Sequence, residues 1–132
     1  MYTTRQKELV ELFSLGRIAK LFGMTLSFDE DGHAHVDLPY NPNLDQPFGI
    51  HGGVIATLLD TAGWFSVAAQ SKTVKVTTSE FKIHFLNPAI ECHLHGEGWV
   101  VKAGRRILIA EMRVSKSNKE VVAIGTGTFV VL

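Results

Sequence analysis

Hydrophobic residues near the start of the chain recur at helical spacing: Leu9, Leu12 and Phe13, then Ile18, Leu21 and Phe22. The spacing predicts an amphipathic helix from Thr4 to about Phe22, interrupted at Gly16. Asp29 to Gly32 is a turn cluster, and the alternation from His33 to Leu38 predicts a short strand. Pro39 to Gly49 carries Pro39, Pro42 and Pro47 in a polar setting. That is an irregular loop, long for a compact domain, and such loops often carry function. A helix from about Gly52 to Ala69 follows. Beyond it the period changes from helical to alternating. Thr73 to Leu86, Ile90 to Val101, Arg105 to Lys116 and Glu120 to Leu132 are rich in Val, Ile, Thr and Phe. Asn87-Pro88, Ala103-Gly104 and Ser117-Asn118 divide them as turn signals. Phe81, Ile83 and Phe85 alternate with Lys82 and His84, as in a strand with one buried face. The expected order is helix, strand, long loop, helix, then four strands in hairpin succession. That order implies an α+β fold with an antiparallel sheet.

The central helix is not amphipathic in the ordinary sense. Val54, Ile55, Leu58, Leu59, Ala62, Trp64, Phe65 and Val67 lie on every side of it. A sheet can wrap one side, and a second copy of the chain is the simplest cover for the rest. The stretch Ile50 to Gln70 is also long enough to span a bilayer. His51, Gly52, Gly53, Asp60 and Gln70 lie within it, and an ionised Asp at mid-bilayer costs at least ~2.5 kcal/mol. The stretch therefore reads as a buried helix of a soluble protein, with no membrane partner.

Composition narrows the picture. The chain has 132 residues, 45% of them hydrophobic and 20% charged. With no repeat or linker, it reads as one domain over residues 1–132. Thirteen Lys and Arg balance 13 Asp and Glu, which leaves no net charge and argues against a nucleic-acid binder. Cys92 is the single cysteine, so an intrachain disulfide, a four-thiolate zinc site and CxxC redox chemistry are all excluded. Glu8 and Glu11 break any export-signal pattern. A reducing, cytoplasmic compartment is the expectation.

The chemistry concentrates at His51-Gly52-Gly53, immediately before the central helix, and at Asp60 within it. Two glycines at a helix start leave unpaired backbone N–H groups uncovered by side chains. Their partial positive charge suits a developing oxyanion. Asp60 sits among Leu58, Leu59, Ala62 and Trp64, where an unpaired carboxylate is costly. Thr57, three residues earlier, is placed to hydrogen-bond it. Taken singly, the glycines could be only a tight turn, and Asp60 only a polar contact between subunits. Together on one helix they point to a site. Asp60 lies roughly 10–12 Å along the axis from the glycines. One carbonyl cannot meet both within one chain, so a two-fold dimer with antiparallel central helices is expected to unite them. His33 and His35, and His93 and His95, have a spacing that can bind metal, but read as solvated strand histidines; no metal is expected. Cys92 alternates with Ile90 and Leu94 and reads as core. Lys102, Arg105 and Arg106 flank a hairpin turn and are either solvated there or a clamp for phosphate. No P-loop, GxGxxG or GxSxG sequence occurs.

The run Gly49-Ile50-His51-Gly52-Gly53-Val54-Ile55-Ala56-Thr57-Leu58-Leu59-Asp60-Thr61-Ala62 resembles the hotdog-fold thioesterases of the phenylacetate-pathway (PaaI-like) type. Thr77 to Ala89, Gly104-Arg105-Arg106 and Val121 to Phe129 resemble their later strands, so the likeness spans about residues 33 to 132. The resemblance implies an antiparallel sheet wrapped around a long central helix, here with an added N-terminal helix, paired as a homodimer and often as a homotetramer. It implies hydrolysis of acyl-CoA thioesters, with coenzyme A as part of the substrate and no separate cofactor. Asp60 would be general base or nucleophile, and Gly52 or Gly53 N–H would polarise the thioester carbonyl. His51 would shape the loop and assist at the carbonyl, and Thr78 would help to place the attacking water. Some relatives carry Asn six residues before the histidine. This chain has Asp45 there, with Asn43 two residues away as the substitute in substrate binding. Lys102, Arg105 and Arg106 would take the CoA phosphates. The rival readings are a hotdog-fold hydratase or dehydratase and a noncatalytic acyl-CoA sensor.

Overall fold

The expected break at Gly16 is where the first helix ends. In the computed structural model, which describes residues 1–132, α1 spans Thr4–Leu15 and α2 spans Arg17–Phe22. Thr3 starts α1 with a reciprocal cap. Its hydroxyl accepts from Gln6 N–H, and the Gln6 side chain accepts from Thr3 N–H. Gly23, at φ +80°, closes α2 in the left-handed conformation. Then come β1 (Thr25–Phe28), β2 (Ala34–Leu38), a 3₁₀ turn (Pro42–Leu44), the two-residue strands β3 (Asp45–Gln46) and β4 (Gly49–Ile50), and α3 (Gly52–Gln70). The last half holds β5 (Val76–Phe85), β6 (Leu94–Ala103), β7 (Ile107–Lys116) and β8 (Val121–Val131).

Six strands form one antiparallel sheet in the order β1-β2-β6-β7-β8-β5. α3 packs against β2, β5, β6, β7 and β8, so the sheet curls around it. Its length and hydropathy would suffice to cross a membrane. Here Val54, Ile55, Leu58, Leu59, Ala62 and Val67 are instead core residues under the sheet. Close approach depends on glycine: a Cβ on Gly98 of β6 would lie 2.4 Å from the Ala62 carbonyl oxygen. α1 covers the C-terminal part of α3, where Leu9 packs in one cluster with Ala68 and Phe28. Arg5 Nη1 donates to the carbonyls of Ala68 and Ser71 at 2.9 and 3.0 Å, closing the end of α3. Gly53 is exposed, and the stripe left only partly covered continues through Ala56, Thr57, Asp60, Thr61 and Trp64.

Four expectations about the strands need correction. First, the four last strands are not a hairpin series. β6, β7 and β8 are, but β5 pairs with β8 at the far edge. Asn87-Pro88 therefore begins a crossover rather than a tight turn. Leu86 and Asn87 N–H both donate to Val122 O, and Ala89 O then accepts from Ile50 N–H at 2.8 Å, beside the start of α3. Second, β6 starts at Leu94, not Ile90; Ile90 is 60% exposed and Cys92 half-buried. Third, β1 forms where the pattern predicts no strand, because the alternation of Leu26 and Phe28 is only four residues long. Fourth, the buried face of β5 is less complete than the alternation implies, with Phe85 55% exposed.

Candidate active site

His51 is the N-cap of α3, and its imidazole does the capping. Nδ1 accepts from Gly53 N–H at 2.8 Å, which leaves the ring proton on Nε2. The two glycines thus differ in role. Gly53 must lack a Cβ, because one would lie 2.9 Å from His51 Nδ1, and its N–H is already engaged. Gly52 occupies the first helical position, and its N–H has no acceptor within the chain. It lines a pocket of about 420 Å³ with Phe48, Ile50, Phe85 and Leu86. The long loop is pinned to this point: His51 N–H donates to Leu44 O at 3.0 Å. Asn43, exposed in the 3₁₀ turn, is brought beside the helix start by that bond. Asp45 is engaged elsewhere, accepting from Tyr40 Oη at 2.5 Å.

Asp60 is held by the sheet rather than by its own helix. Thr78 Oγ1 on β5 donates to Asp60 Oδ1 at 2.8 Å, whereas Thr57 Oγ1 donates to Gly53 O. Thr78 reaches α3 through a bulge at Ser79. The β5–β8 register steps from Thr78↔Phe129 to Glu80↔Thr128, which puts Thr78 in phase with Phe81 and Ile83 on the helix-facing side. No cation pairs with Asp60. Burial pushes its carboxyl above the usual range, and the Thr78 hydrogen bond partly offsets that. The carboxylate lines an apolar groove of about 210 Å³ with Leu12, Phe13, Ile18, Met24, Trp64 and Phe65. The groove residues on α1 and α2 carry no site motif in the sequence. Their only signal is that both halves of that amphipathic helix are apolar around Gly16.

The structure does not bring Asp60 and Gly52 together. They are eight residues apart, about 12 Å along one helix, and open on different cavities. The basic hairpin lies at the Asp60 end of the sheet. Val131 N–H donates to Arg106 O at 2.8 Å, and Val131 pairs with Val76, two residues before Thr78. Lys102, Arg105 and Arg106 line an open cleft of about 480 Å³ there.

The strand histidines are not singly solvated. His33 Nδ1 contacts Glu97 Oε2 at 2.8 Å, and His35 contacts Asp29 at 2.7 Å and His95 at 2.8 Å. His95 and His93 both reach Asp37 Oδ1. Partial burial opposes ionisation of Asp37, but those two hydrogen bonds outweigh it and hold the carboxyl below its usual range. The signal was the alternation of polar residues on one face of β2 and of β6. That the two faces adjoin could not be read from strands some sixty residues apart.

The family model of the thioesterase superfamily matches residues 49–123, from the glycine before the cap to the first part of β8. The chain is 30% identical over 125 residues to a protein of Saccharolobus solfataricus named as a candidate esterase, covering 94% of this chain and 83% of that one. It is similar to a Bacillus halodurans protein solved with CoA: 30% identity, TM-score 0.81, covering 100% of this chain and 96% of the other. It also shares the fold of the PaaI protein from the phenylacetic acid degradation operon of E. coli, at 20% identity and TM-score 0.87, covering 96% and 91%. Wrapped sheet, central helix and matched segment agree, and the chain belongs to the thioesterase superfamily with its hotdog fold.

Proposed function

We propose that this protein is an acyl-CoA thioesterase that works as a homodimer, pairing further into a tetramer, in the cytoplasm. The observation that carries the reading is Asp60: a half-buried carboxylate with no cationic partner, fixed by one hydroxyl and facing an apolar groove. The Bacillus halodurans relative solved with CoA supports the substrate class. Antiparallel packing of two central helices sets Gly52 of one chain against Asp60 of the other. The thioester carbonyl accepts from Gly52 N–H, with His51 Nε2–H available beside it. Thr78 occupies Asp60 Oδ1, and Oδ2 takes a proton from water as the oxygen adds to the carbonyl carbon. The tetrahedral intermediate then expels the thiolate, which takes the proton held on Asp60 Oδ2 and leaves as CoA, restoring the carboxylate. The acyl group lies in the groove beside Asp60. Lys102, Arg105 and Arg106 hold the CoA phosphates, and Asn43 borders the entrance.

The test is thiol release from aromatic and aliphatic acyl-CoAs by wild type and Asp60→Asn. The variant should lose about 10²–10⁴-fold in kcat with its fold intact. Charge reversal at Arg105 and Arg106 should raise KM and leave kcat unchanged. Binding of acyl-CoA without release by wild type would sink the reading in favour of a sensor; addition of water across a double bond would favour a hydratase. Solvent oxygen-18 in Asp60 after one turnover would replace the general-base route with attack by the carboxylate.

A further inference from the structure

On the sheet face opposite α3, β2 and β6 place histidines and carboxylates side by side. Ala34, Val36 and Leu38 of β2 face the helix, so His35 and Asp37 lie on the other side. Leu94, Gly96 and Gly98 of β6 do the same for His95, Glu97 and Trp99. The register sets His35 opposite Glu97 and Asp37 opposite His95. The β1–β2 turn adds Asp29.

We infer that Asp29, His35 and Glu97, with His33 at the margin, form a binding site for a divalent transition-metal ion such as Zn²⁺. Donor atoms of Asp29, His35 and Glu97 all lie within 4.8 Å of one another. His33 Nδ1 stands 2.8 Å from Glu97 Oε2 and 3.9 Å from Asp29 Oδ2. A tetrahedral zinc with ligands at about 2.0–2.2 Å sets neighbouring donors roughly 3.4 Å apart. The 2.7 Å contact between Asp29 Oδ2 and His35 Nε2 then needs to open by less than about an ångström. Imidazole and carboxylate donors without thiolate suit zinc and its first-row neighbours.

The groups behind the donors carry the inference further than proximity does. Metal ligands are held by their other atoms, and each of these is. Asp29 Oδ1 accepts from the N–H groups of Asp31 and His33, both at 2.9 Å. Glu97 Oε1 accepts from Arg113 Nη2 at 2.8 Å. His35 Nδ1 meets His95 Nε2 at 2.8 Å, and His95 Nδ1 meets Asp37 Oδ1 at 2.8 Å, a relay that orients the ligand ring. The His33 ring stacks on Trp99 at 5.7 Å. A bound ion would tie the edge hairpin of β1 and β2 to β6. It would act on stability and leave the chemistry of Asp60, on the other side of the sheet, unchanged.

The experiment uses full-length protein without an affinity tag, stripped with chelator and titrated with Zn²⁺ by calorimetry. Wild type should bind one Zn²⁺ per chain and gain in thermal midpoint. Glu97→Gln, Asp29→Asn and His35→Gln should each lose both effects. Asp37→Asn, which touches none of the ligands and reaches His35 through His95, should weaken binding about 10- to 100-fold. His84→Gln, an exposed histidine on β5 outside the cluster, should bind as wild type does. Absence of Zn²⁺ binding by folded wild type overturns the site. So does wild-type affinity in both Glu97→Gln and Asp29→Asn, which would leave an adventitious imidazole chelate. Thioester hydrolysis by the zinc-free protein should equal that of the loaded one, so this test and that of the proposed function fail independently.

Discussion

Asp60 and Gly52 are opposite problems in satisfying polar groups. Asp60 is an acceptor short of donors. Its hydrogen bond from Thr78 favours the ionised form, so Thr78→Val should raise the carboxyl further and move the acidic limb of kcat/KM to higher pH. A limb that stays in place would separate Thr78 from the ionisation of Asp60. The stability linkage has the other sense. A folded-state pKa raised above the unfolded value favours folding at low pH, and that contribution is lost as pH rises through the folded value. Asp60→Asn removes that loss and keeps an oxygen for Thr78, so it should be more stable at neutral pH by about 0.5–2 kcal/mol. Gly52 is a donor short of acceptors, and it can be silenced without touching the helix. Proline is at home at the first helical position, and His51, at φ −59° and ψ 134°, already has the conformation that precedes proline. Gly52→Pro should fold normally and lose about 10²–10³-fold in kcat. Activity near wild type would remove that N–H from the mechanism. Of these residues, the histidine, the glycines and Asp60 were legible from sequence. The division of labour between Gly52 and Gly53 was not, because it depends on where one imidazole turns.

Among the elements, α3 and the break at Gly16 were legible because period and punctuation are local. The position of β5 was not. Strand pairing is set by contacts distant in sequence, and Asn87-Pro88 carries the same turn signal whether the chain reverses or crosses over. The bulge at Ser79 was equally hidden: one extra residue leaves composition unchanged yet decides that Thr78 faces Asp60 rather than solvent. The seating of α3 on β6 has a measurable cost. Gly98→Ala places a methyl 2.4 Å from the Ala62 carbonyl oxygen, backbone against backbone, and should destabilise by about 1–3 kcal/mol in denaturant unfolding. An unchanged midpoint would mean that the helix lifts off the sheet freely.

At the scale of the whole molecule, the chain leaves apolar surface beside its open donor. Phe48 is 89% exposed, and Phe85 and Leu86 also remain exposed around Gly52. Under the dimer proposal this is the surface a second chain covers. The partly covered stripe of α3 that bears Asp60 faces the same need. Sequence showed that the helix needed cover on every side; it could not show that α1 and α2 supply part of it.

The separation of Gly52 from Asp60 along α3 has a genetic consequence. If each working site takes its donor from one chain and its carboxylate from the other, two dead proteins can cure each other. Gly52→Pro and Asp60→Asn, each inactive alone, would be unfolded together, mixed in equal amounts and refolded. About half of the random pairs would be mixed, each with one intact site of two, restoring roughly a quarter of wild-type activity. Recovery of none would place the whole reaction within a single chain.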